Sequence, residues 1–189
     1  LITNILKSTD VINTINAFKL MGVQIEETEH NIKVYGKGLN SLLKPDKNIY
    51  LGNSGTSARL LVGLLSAQNF NTYLIGDNSL SRRPMARIID PLVKMGAHIT
   101  SNNYKLPLSI NGKQLNSIRY LLEVPSAQVK SGIMLAALFA KNKTEIIEKK
   151  ITRNHTEIML KSFNANIEIK KKRKTKSYLY QRTKRIISK

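Results

Sequence analysis

Apolar residues recur at helical spacing ahead of three similar junctions in this chain. The junctions are 20–25, 94–99 and 162–167, and each carries a glycine or an asparagine at its third position. The spacing before each junction and the extended pattern after it predict a helix that ends there and a strand that begins there. Because the junctions lie about 70 residues apart, the pattern predicts an internal repeat.

Two further segments have a polar first turn followed by apolar residues on nearly every side. They are 56–68 and 128–140, and this pattern predicts helices that are buried except at their N-termini. Short runs rich in β-branched and aromatic residues predict strands between the helices. The predicted strands are 32–35, 48–51, 72–76, 108–112, 119–124 and 144–148.

The order of these elements predicts an α/β (α+β) fold built from repeated βαβαββ units. One unit begins near Asn48 and the next near Arg119. A period of about 70 residues exceeds that of the usual solenoid repeats, so packed units of sheet and helix are expected rather than a linear array. Residues 1–169 form the predicted folded part, whereas residues 170–189 have no core-facing periodicity and are predicted to be a basic tail.

The formal net charge of +19 would suit a nucleic-acid-binding protein, but the charge is unevenly placed. About half of the excess lies within 170–189, and the rest is mostly lysine in a chain also rich in asparagine and isoleucine. Such a composition follows from codon bias in an A/T-rich genome, so nucleic acid is not an expected partner. The sequence has no cysteine and no apolar run near the roughly 20 residues of a membrane span, which predicts a cytoplasmic setting.

The segment 51–59 ends a predicted strand, turns through two glycines and opens the first buried helix. Gly52 and Gly55 let the backbone approach a ligand, and the polar residues beside them can cap a helix whose first amides face outward. Arg59 adds a positive charge one turn into that helix. The segment is therefore interpreted as a pocket for phosphate or carboxylate, with an ordinary capped glycine turn as the alternative.

Three more polar clusters lie at predicted helix starts. They are 81–85, 125–130 and 152–157. Helix caps would explain the polar residues but not the arginines, because Arg59, Arg83 and Arg153 all lie at or beside positive helix ends, where a cation is unfavourable unless an anion joins it. The arginines therefore predict an anionic ligand, although surface arginines that turn into solvent would give the same pattern.

The sequence offers little support for other chemistry. His30, His98 and His155 are isolated and lack metal-ligand spacing, so no metal site is expected. No glycine-rich loop ends in Gly-Lys-Ser/Thr, and Gly52 and Gly55 lack the spacing of a dinucleotide fingerprint. Neither a nucleotide nor another cofactor is expected.

Four ordered motifs resemble those of the 5-enolpyruvylshikimate-3-phosphate synthase family. Leu51 to Thr56 is similar to its Leu-Gly-Asn-Ala-Gly-Thr signature, and 76–85 is similar to its arginine-bearing signature. Segments 126–131 and 152–157 resemble two more, in the form typical of one bacterial subgroup. The resemblance covers about residues 1–169 and implies the enolpyruvyl transferase fold, with this chain as most of one lobe of a two-lobed architecture.

The resemblance implies a 3-phosphoshikimate 1-carboxyvinyltransferase of the shikimate pathway. Such enzymes transfer the enolpyruvyl group of phosphoenolpyruvate to the 5-hydroxyl of shikimate 3-phosphate, on the route to chorismate and the aromatic amino acids. They use no metal or cofactor, they are monomers in full-length form, and glyphosate occupies their phosphoenolpyruvate site.

The same resemblance implies three groups of site residues. Those against phosphoenolpyruvate are Gly55, Arg83 and Gln128. Those against shikimate 3-phosphate are Ser126, Ala127, Gln128 and Arg153. Those that shape the glycine turn are Asn53, Thr56 and Arg59.

The resemblance also implies that the chain is incomplete. The family's Lys-Ser…Arg segment and its second lobe, which carries the acid and base residues, have no counterpart here. No catalytic residue is therefore assigned, and the chain alone is predicted to be inactive because the groups act as a set. Residues 170–189 follow where the family's sheet would continue, and they are interpreted as disordered or as out-of-frame translation.

Other interpretations of the sequence stay open. A related transferase acts on UDP-N-acetylglucosamine, but its usual cysteine loop is absent, and an RNA 3′-phosphate cyclase would need a histidine that cannot be placed. A basic nucleic-acid-binding module is supported by 170–189 alone. A non-catalytic fragment that associates with a separately encoded second half is a further alternative.

Overall fold

The computed structural model describes residues 1–172 and 175–181. Its helices are α1 (Thr9–Leu20), α2 (Gly55–Ser66), α3 (Asn78–Arg82), α4 (Ala86–Lys94), α5 (Ala127–Ala137) and α6 (His155–Ser162). Its strands are β1 (Ile2–Thr3), β2 (Gln24–Glu27), β3 (Asn31–Tyr35), β4 (Ile49–Tyr50), β5 (Asn71–Ile75), β6 (His98–Asn102), β7 (Lys105–Asn111), β8 (Arg119–Leu122), β9 (Thr144–Glu148), β10 (Asn166–Lys172) and β11 (Thr175–Gln181). The predicted α/β class is confirmed.

The three repeated junctions share one helix-ending geometry. Each has a residue with positive φ after its helix: Gly22 at 80° after α1, Gly96 at 90° after α4, and Asn164 at 61° after α6. In each case this residue and the next donate backbone hydrogen bonds three and five residues back, to Lys19 and Phe18 in the first junction. This is the Schellman arrangement, which favours glycine or asparagine because only these residues enter the left-handed region cheaply.

The sheets repeat as well. The second sheet has the order β4-β5-β7-β6 and the third has β8-β9-β11-β10, with the first pair parallel and the other pairs antiparallel in both. The first sheet, β1-β3-β2, follows the order of the last three strands of such a unit. The predicted βαβαββ unit therefore occurs twice in full, and its second half occurs once more before them.

The prediction of an unpatterned tail after residue 169 is wrong for residues 170–172 and 175–181. β10 runs on to Lys172, and β11 lies between β9 and β10, with Leu179 opposite Glu145 on one side and Glu168 on the other. The run of lysines obscured these strands in the sequence, whereas Tyr178, Leu179 and Tyr180 are residue types typical of strands. The remaining tail residues, 173, 174 and 182–189, lie outside the described part of the chain.

Two central helices, α2 and α5, cross at a pair of glycines within one continuous apolar core. A Cβ built on Gly63 would lie 2.0 Å from the carbonyl oxygen of Gly132, and one on Gly132 would lie 2.7 Å from the carbonyl oxygen of Arg59. Leu61, Val62 and Ile133 are almost fully buried around this crossing. The absence of side chains at the two glycines lets the helices approach closely, so that their N-termini lie side by side.

The first repeat leaves an apolar cleft between α1 and the sheet of β1, β2 and β3. The cleft has a volume of about 540 Å³, and Val11, Ile15, Phe18, Ile25 and Ile32 contribute to its walls. Hydroxyls of the α2 start border one end of it. Among the described residues, no helix is both long and apolar enough to cross a membrane.

Candidate functional site

A chain of hydroxyl groups fixes the glycine turn before α2. Ser54 caps the helix, and its Oγ accepts a hydrogen bond of 3.2 Å from the Ser57 backbone N–H. The Ser57 Oγ lies 2.8 Å from the Ser54 Oγ and 2.6 Å from the Thr14 Oγ1 of α1. Gly52 has a φ of 55°, which a residue with a side chain rarely adopts. The turn is thus held against α1 by these hydroxyl groups.

Arg59 stands one turn into α2 and bends back over the turn. Its Nη1 donates to the carbonyl oxygen of Gly55 at 2.9 Å and to the Gln128 Oε1 at 3.1 Å, and its Nη2 donates to the carbonyl oxygen of Pro84 at 3.3 Å. Burial, followed by the charges of Arg83 and Arg87, lowers the pKa of Arg59. The guanidinium remains charged at any ordinary pH, so this site concentrates positive charge.

Arg83 brings a second guanidinium to the same place. It follows α3, whereas α4 begins only at Ala86, so the sequence-based assignment of the 81–85 cluster to a helix start is corrected here. The Arg83 Nη2 donates to the Asn53 Oδ1 and lies 3.5 Å from the Ser79 Oγ. Asn53 therefore fixes one end of Arg83 against the glycine turn.

Gly55 lies directly beneath both arginines. A Cβ built on Gly55 would be 2.8 Å from the Arg59 Nη1 and 3.1 Å from the Arg83 Nη1. Both distances are shorter than ordinary contacts, so any side chain at this position would push the two guanidinium groups aside. Because Gly55 has no side chain, the Arg59 and Arg83 guanidinium groups lie close to the start of α2, and this arginine-lined place, called the recess below, suits a carboxylate or phosphate.

Gln128 joins the start of α5 to this recess. Its Nε2 donates to the Thr56 Oγ1 at 2.8 Å, while its Oε1 accepts from Arg59. α5 is capped by Ser126, whose Oγ accepts from the Val129 backbone N–H at 3.3 Å. The two helix starts are thus linked through side chains, and both present free backbone amides on the same side of the molecule.

A second pocket opens on the other side of Gln128. It has a volume of about 200 Å³ and is lined by Thr56, Leu60, Ala127, Gln128, Ser131, Arg153, His155 and Thr156. The Ser131 Oγ of α5 lies 2.7 Å from the Thr156 Oγ1 of α6, which closes its base. Arg153 is exposed and precedes α6, so its guanidinium borders the pocket from the solvent side.

The structure brings the sequence-predicted site residues together in two adjoining groups. Hydrogen bonds or close contacts connect the first group, which consists of Asn53, Gly55, Thr56, Arg59, Arg83 and Gln128. Ala127, Gln128 and Arg153 line the second pocket, and Ser126 caps the helix beside it. Thr56 and Gln128 belong to both groups, so two anions bound there would be neighbours.

One buried ion group was not predicted from the sequence. Lys130, within the 125–130 cluster, is fully buried and paired with Glu148 and Glu157, rather than exposed as a cationic ligand. Two features of the sequence could have indicated this ion group. The helix that carries Lys130 is apolar on nearly every side, and two glutamates lie near the end of a predicted strand and the start of a predicted helix. In the described part of the chain, no three histidine, aspartate or glutamate side chains gather in a way that could hold a metal ion.

The fold and site define a class of protein: an α/β lobe of repeated βαβαββ units in which arginines gather at the N-termini of two adjacent helices. The chain matches the family model of EPSP synthase (3-phosphoshikimate 1-carboxyvinyltransferase) over residues 1–183. It therefore belongs to the EPSP synthase family, and the predicted resemblance is confirmed. The match runs to residue 183 and so includes part of the segment after Lys170, where a change of reading frame stays a prediction.

Similar proteins agree with this assignment. The chain is 54% identical over 171 residues to a 3-phosphoshikimate 1-carboxyvinyltransferase of Ruthia magnifica and 52% identical over 170 residues to one of Oceanobacillus iheyensis. These matches cover 90% and 88% of this chain but 39% of each relative. An EPSP synthase structure from Acinetobacter baumannii matches with a TM-score of 0.90 and 43% identity, over 98% of this chain and 42% of that one. The chain thus spans about two fifths of the length of these relatives.

Proposed function

We propose that this chain forms the substrate-binding wall of a 3-phosphoshikimate 1-carboxyvinyltransferase. The observation that carries the proposal is the convergence of Arg59 and Arg83 on Gly55, at the start of α2, with Gln128 connecting them to the start of α5. Two small anions bound side by side fit such an arrangement, because guanidinium groups and helix N-termini both stabilise negative charge.

The recess over Gly55 is proposed as the phosphoenolpyruvate side. Arg83 and the first amides of α2 would hold the carboxylate or phosphate, and the Gln128 amide would reach the same ligand. Asn53, Thr56 and Arg59 would keep the recess in shape, since each already makes a hydrogen bond to another residue of it. A planar guanidinium is suited to such anions because it can donate two parallel hydrogen bonds.

The pocket between α5 and α6 is proposed as the shikimate 3-phosphate side. Ser126 and Ala127 would present the amides of the α5 start, Gln128 would contact the ring, and Arg153 would pair with the phosphate. The pocket volume of about 200 Å³ describes only the part of the site that this chain encloses. We expect the remaining wall to come from the part of the relatives that this chain does not cover.

In the proposed reaction, the 5-hydroxyl of shikimate 3-phosphate loses its proton to a base and its oxygen bonds to C2 of phosphoenolpyruvate, while an acid adds a proton to C3. The tetrahedral intermediate then expels inorganic phosphate from C2 and loses a proton from C3, which restores the double bond. The residues described here would bind, orient and charge-stabilise these species. None of them is assigned as the acid or base, so we expect the chain alone to show no turnover.

Calorimetric titration of the chain with shikimate 3-phosphate, followed by phosphoenolpyruvate, tests the proposal. Arg83→Ala should weaken phosphoenolpyruvate binding about 30-fold, because a charged hydrogen-bond donor to an anion is worth about 2 kcal/mol. Arg82→Ala, which removes the exposed neighbouring arginine, is the matched control and should change binding less than twofold. An equal loss of affinity in both variants would indicate a general effect of positive charge and contradict a specific phosphoenolpyruvate site at Arg83.

Further ligands separate the alternatives. Binding of UDP-N-acetylglucosamine in preference to shikimate 3-phosphate would favour the related transferase, and binding of single-stranded RNA that falls steeply with salt would favour a nucleic-acid module. A phosphate-release assay with both substrates should detect no turnover by this chain. The proposal also includes a cytoplasmic setting, supported by the lack of cysteine in the sequence, and a monomeric complete enzyme, which light scattering would check.

A further inference from the structure

Lys130 carries a positive charge in the interior of the protein. Its side chain is 0% exposed, and it lies two residues after Gln128 in α5. The Nζ is 3.0 Å from the Glu148 Oε2 at the end of β9 and 2.7 Å from the Glu157 Oε1 in the first turn of α6. Both carboxylates are also buried, so one ammonium group connects three separate elements away from water.

A buried ion group of this kind contributes little net free energy to folding. Taking charges out of water costs more than a close pair usually returns, and apolar residues of similar volume often give equal or greater stability. What the ions add is direction, because Nζ donates a hydrogen bond to the Glu148 Oε2 while the Glu157 Oε1 lies 2.7 Å from the same nitrogen. Any role of Lys130 beyond stability therefore concerns the elements that it connects.

The contacts of this ion group and its neighbours lie both before and after Arg153 in the sequence. On one side of it, the Thr152 Oγ1 donates a hydrogen bond to the Glu148 Oε1. On the other side, Glu157 meets Lys130, and the neighbouring Thr156 hydroxyl meets Ser131 of α5. The loop between β9 and α6 is thus attached to the start of α5 both before and after Arg153. The position of the Arg153 backbone relative to α5 follows from these attachments.

We infer that Lys130, Glu148 and Glu157 form a positioning group that sets the distance between Arg153 and the α5 start. This inference rests on the proposed function, because it concerns the shikimate 3-phosphate side of that site. Lys130 is a positioning residue: it is buried beneath the pocket, and it acts through Arg153 on one side and through the α5 backbone on the other.

Two variants test the positioning group without leaving an unpaired buried charge. Thr152→Val removes the hydrogen bond to Glu148, and the triple substitution Lys130→Met, Glu148→Gln and Glu157→Gln neutralises all three charges together. Thr3→Val, an exposed threonine on β1, is the matched control. Thermal unfolding of each variant shows whether the fold is retained.

The first readout is the affinity for shikimate 3-phosphate, measured by calorimetry. We expect binding to weaken about threefold in Thr152→Val and about tenfold in the triple variant. In an Arg153→Ala background, Thr152→Val should add no further loss, since residues acting through one another are not additive. A loss of the same size in both backgrounds, or no loss at all, would overturn the inference.

The second readout needs no ligand. Amide hydrogen exchange of residues 149–157 should accelerate in Thr152→Val and in the triple variant but not in Thr3→Val, while α2 keeps its protection. Unchanged exchange in this loop would overturn the inference even if shikimate 3-phosphate binds. Faster exchange in a chain that binds no shikimate 3-phosphate would leave the positioning group standing and count against the proposed function instead.

Discussion

Arg59 of α2 donates a hydrogen bond of 3.1 Å to the side-chain oxygen of Gln128 in α5. The same amide donates its N–H to Thr56, so it uses its acceptor and its donor on one neighbouring helix. This arrangement defines which way the Gln128 amide faces. Gln128, like its partner Thr56, makes a hydrogen bond within the arginine-lined recess and also lines the pocket that includes Arg153.

Gln128→Ala should therefore weaken the binding of shikimate 3-phosphate about 30-fold. The substitution removes a ligand contact and leaves Arg59 without one acceptor, and each such loss costs about 1 kcal/mol. Calorimetric titration measures the change. Gln24→Ala, an exposed position on β2, is the control, and an equal effect of both variants would contradict the assigned role of Gln128.

Gly63→Ala should destabilise the chain by about 2–3 kcal/mol. In an exposed helix the same change would stabilise by about 1 kcal/mol, but here the new Cβ would overlap the carbonyl oxygen of Gly132. Urea unfolding measures the difference. Gly36→Ala is the matched control because a Cβ there meets nothing within 4 Å, and its effect should stay within about 0.5 kcal/mol.

Gly55→Ala should affect binding rather than stability. Its Cβ would contact only the ends of the Arg59 and Arg83 side chains, which can move without unfolding the protein. We expect phosphoenolpyruvate binding to weaken about tenfold, with a change in unfolding free energy of less than about 1 kcal/mol. In a full-length relative, the same substitution should raise tolerance to glyphosate, and unchanged inhibition would contradict the placement of that ligand over Gly55.

Glu168 should make the stability of β10 depend on pH. Hydrogen bonds from Lys143 and Lys170, in that order of importance, hold the pKa of Glu168 below its usual range. A carboxyl with a lowered folded-state pKa stabilises above its unfolded pKa of about 4.3, and this contribution is lost as the pH falls through the folded value. The stability difference between the parent chain and Glu168→Gln should therefore be present at pH 7 and vanish in strong acid.

Salt provides an independent check of the Glu168 ion pairs. The carboxylate is about half exposed, with the two ammonium groups 3.2 and 3.3 Å away, so added salt should screen the attraction. Urea unfolding at pH 7 with and without about 1 M sodium chloride should show a smaller difference between parent and variant at high salt. A difference that survives both acid and salt would point to packing rather than charge.

Local signals in the sequence predicted much of the fold. Gly22, Gly96 and Asn164 marked the three helix ends because a left-handed residue is needed there, and the buried helices could be recognised from their apolar surface. The end of the fold could not be predicted in this way. β11 is held by pairing with β9 and β10, and this non-local contact leaves no core-facing periodicity in residues 170–181.

The sequence predicted the site residues that lie at helix starts within one short motif. Asn53, Gly55 and Arg59 belong to one short motif, so their proximity follows from the turn itself. The contact of Gln128 with Thr56 depends on how α2 and α5 cross, which the two glycines decide and no local pattern encodes. Lys130 was missed for the same reason, because its two partners lie on β9 and α6.

The cleft beside α1 has a consequence for how the chain unfolds. Around α2 and α5, buried side chains from the second and third repeats form a continuous core, whereas the wall of α1 in the first repeat faces open space. Elements with less apolar burial separate first as denaturant is added. The chain should therefore contain two cooperative units, with β1, α1, β2 and β3 melting in an early, shallow transition and the other two repeats together in a later, steeper one.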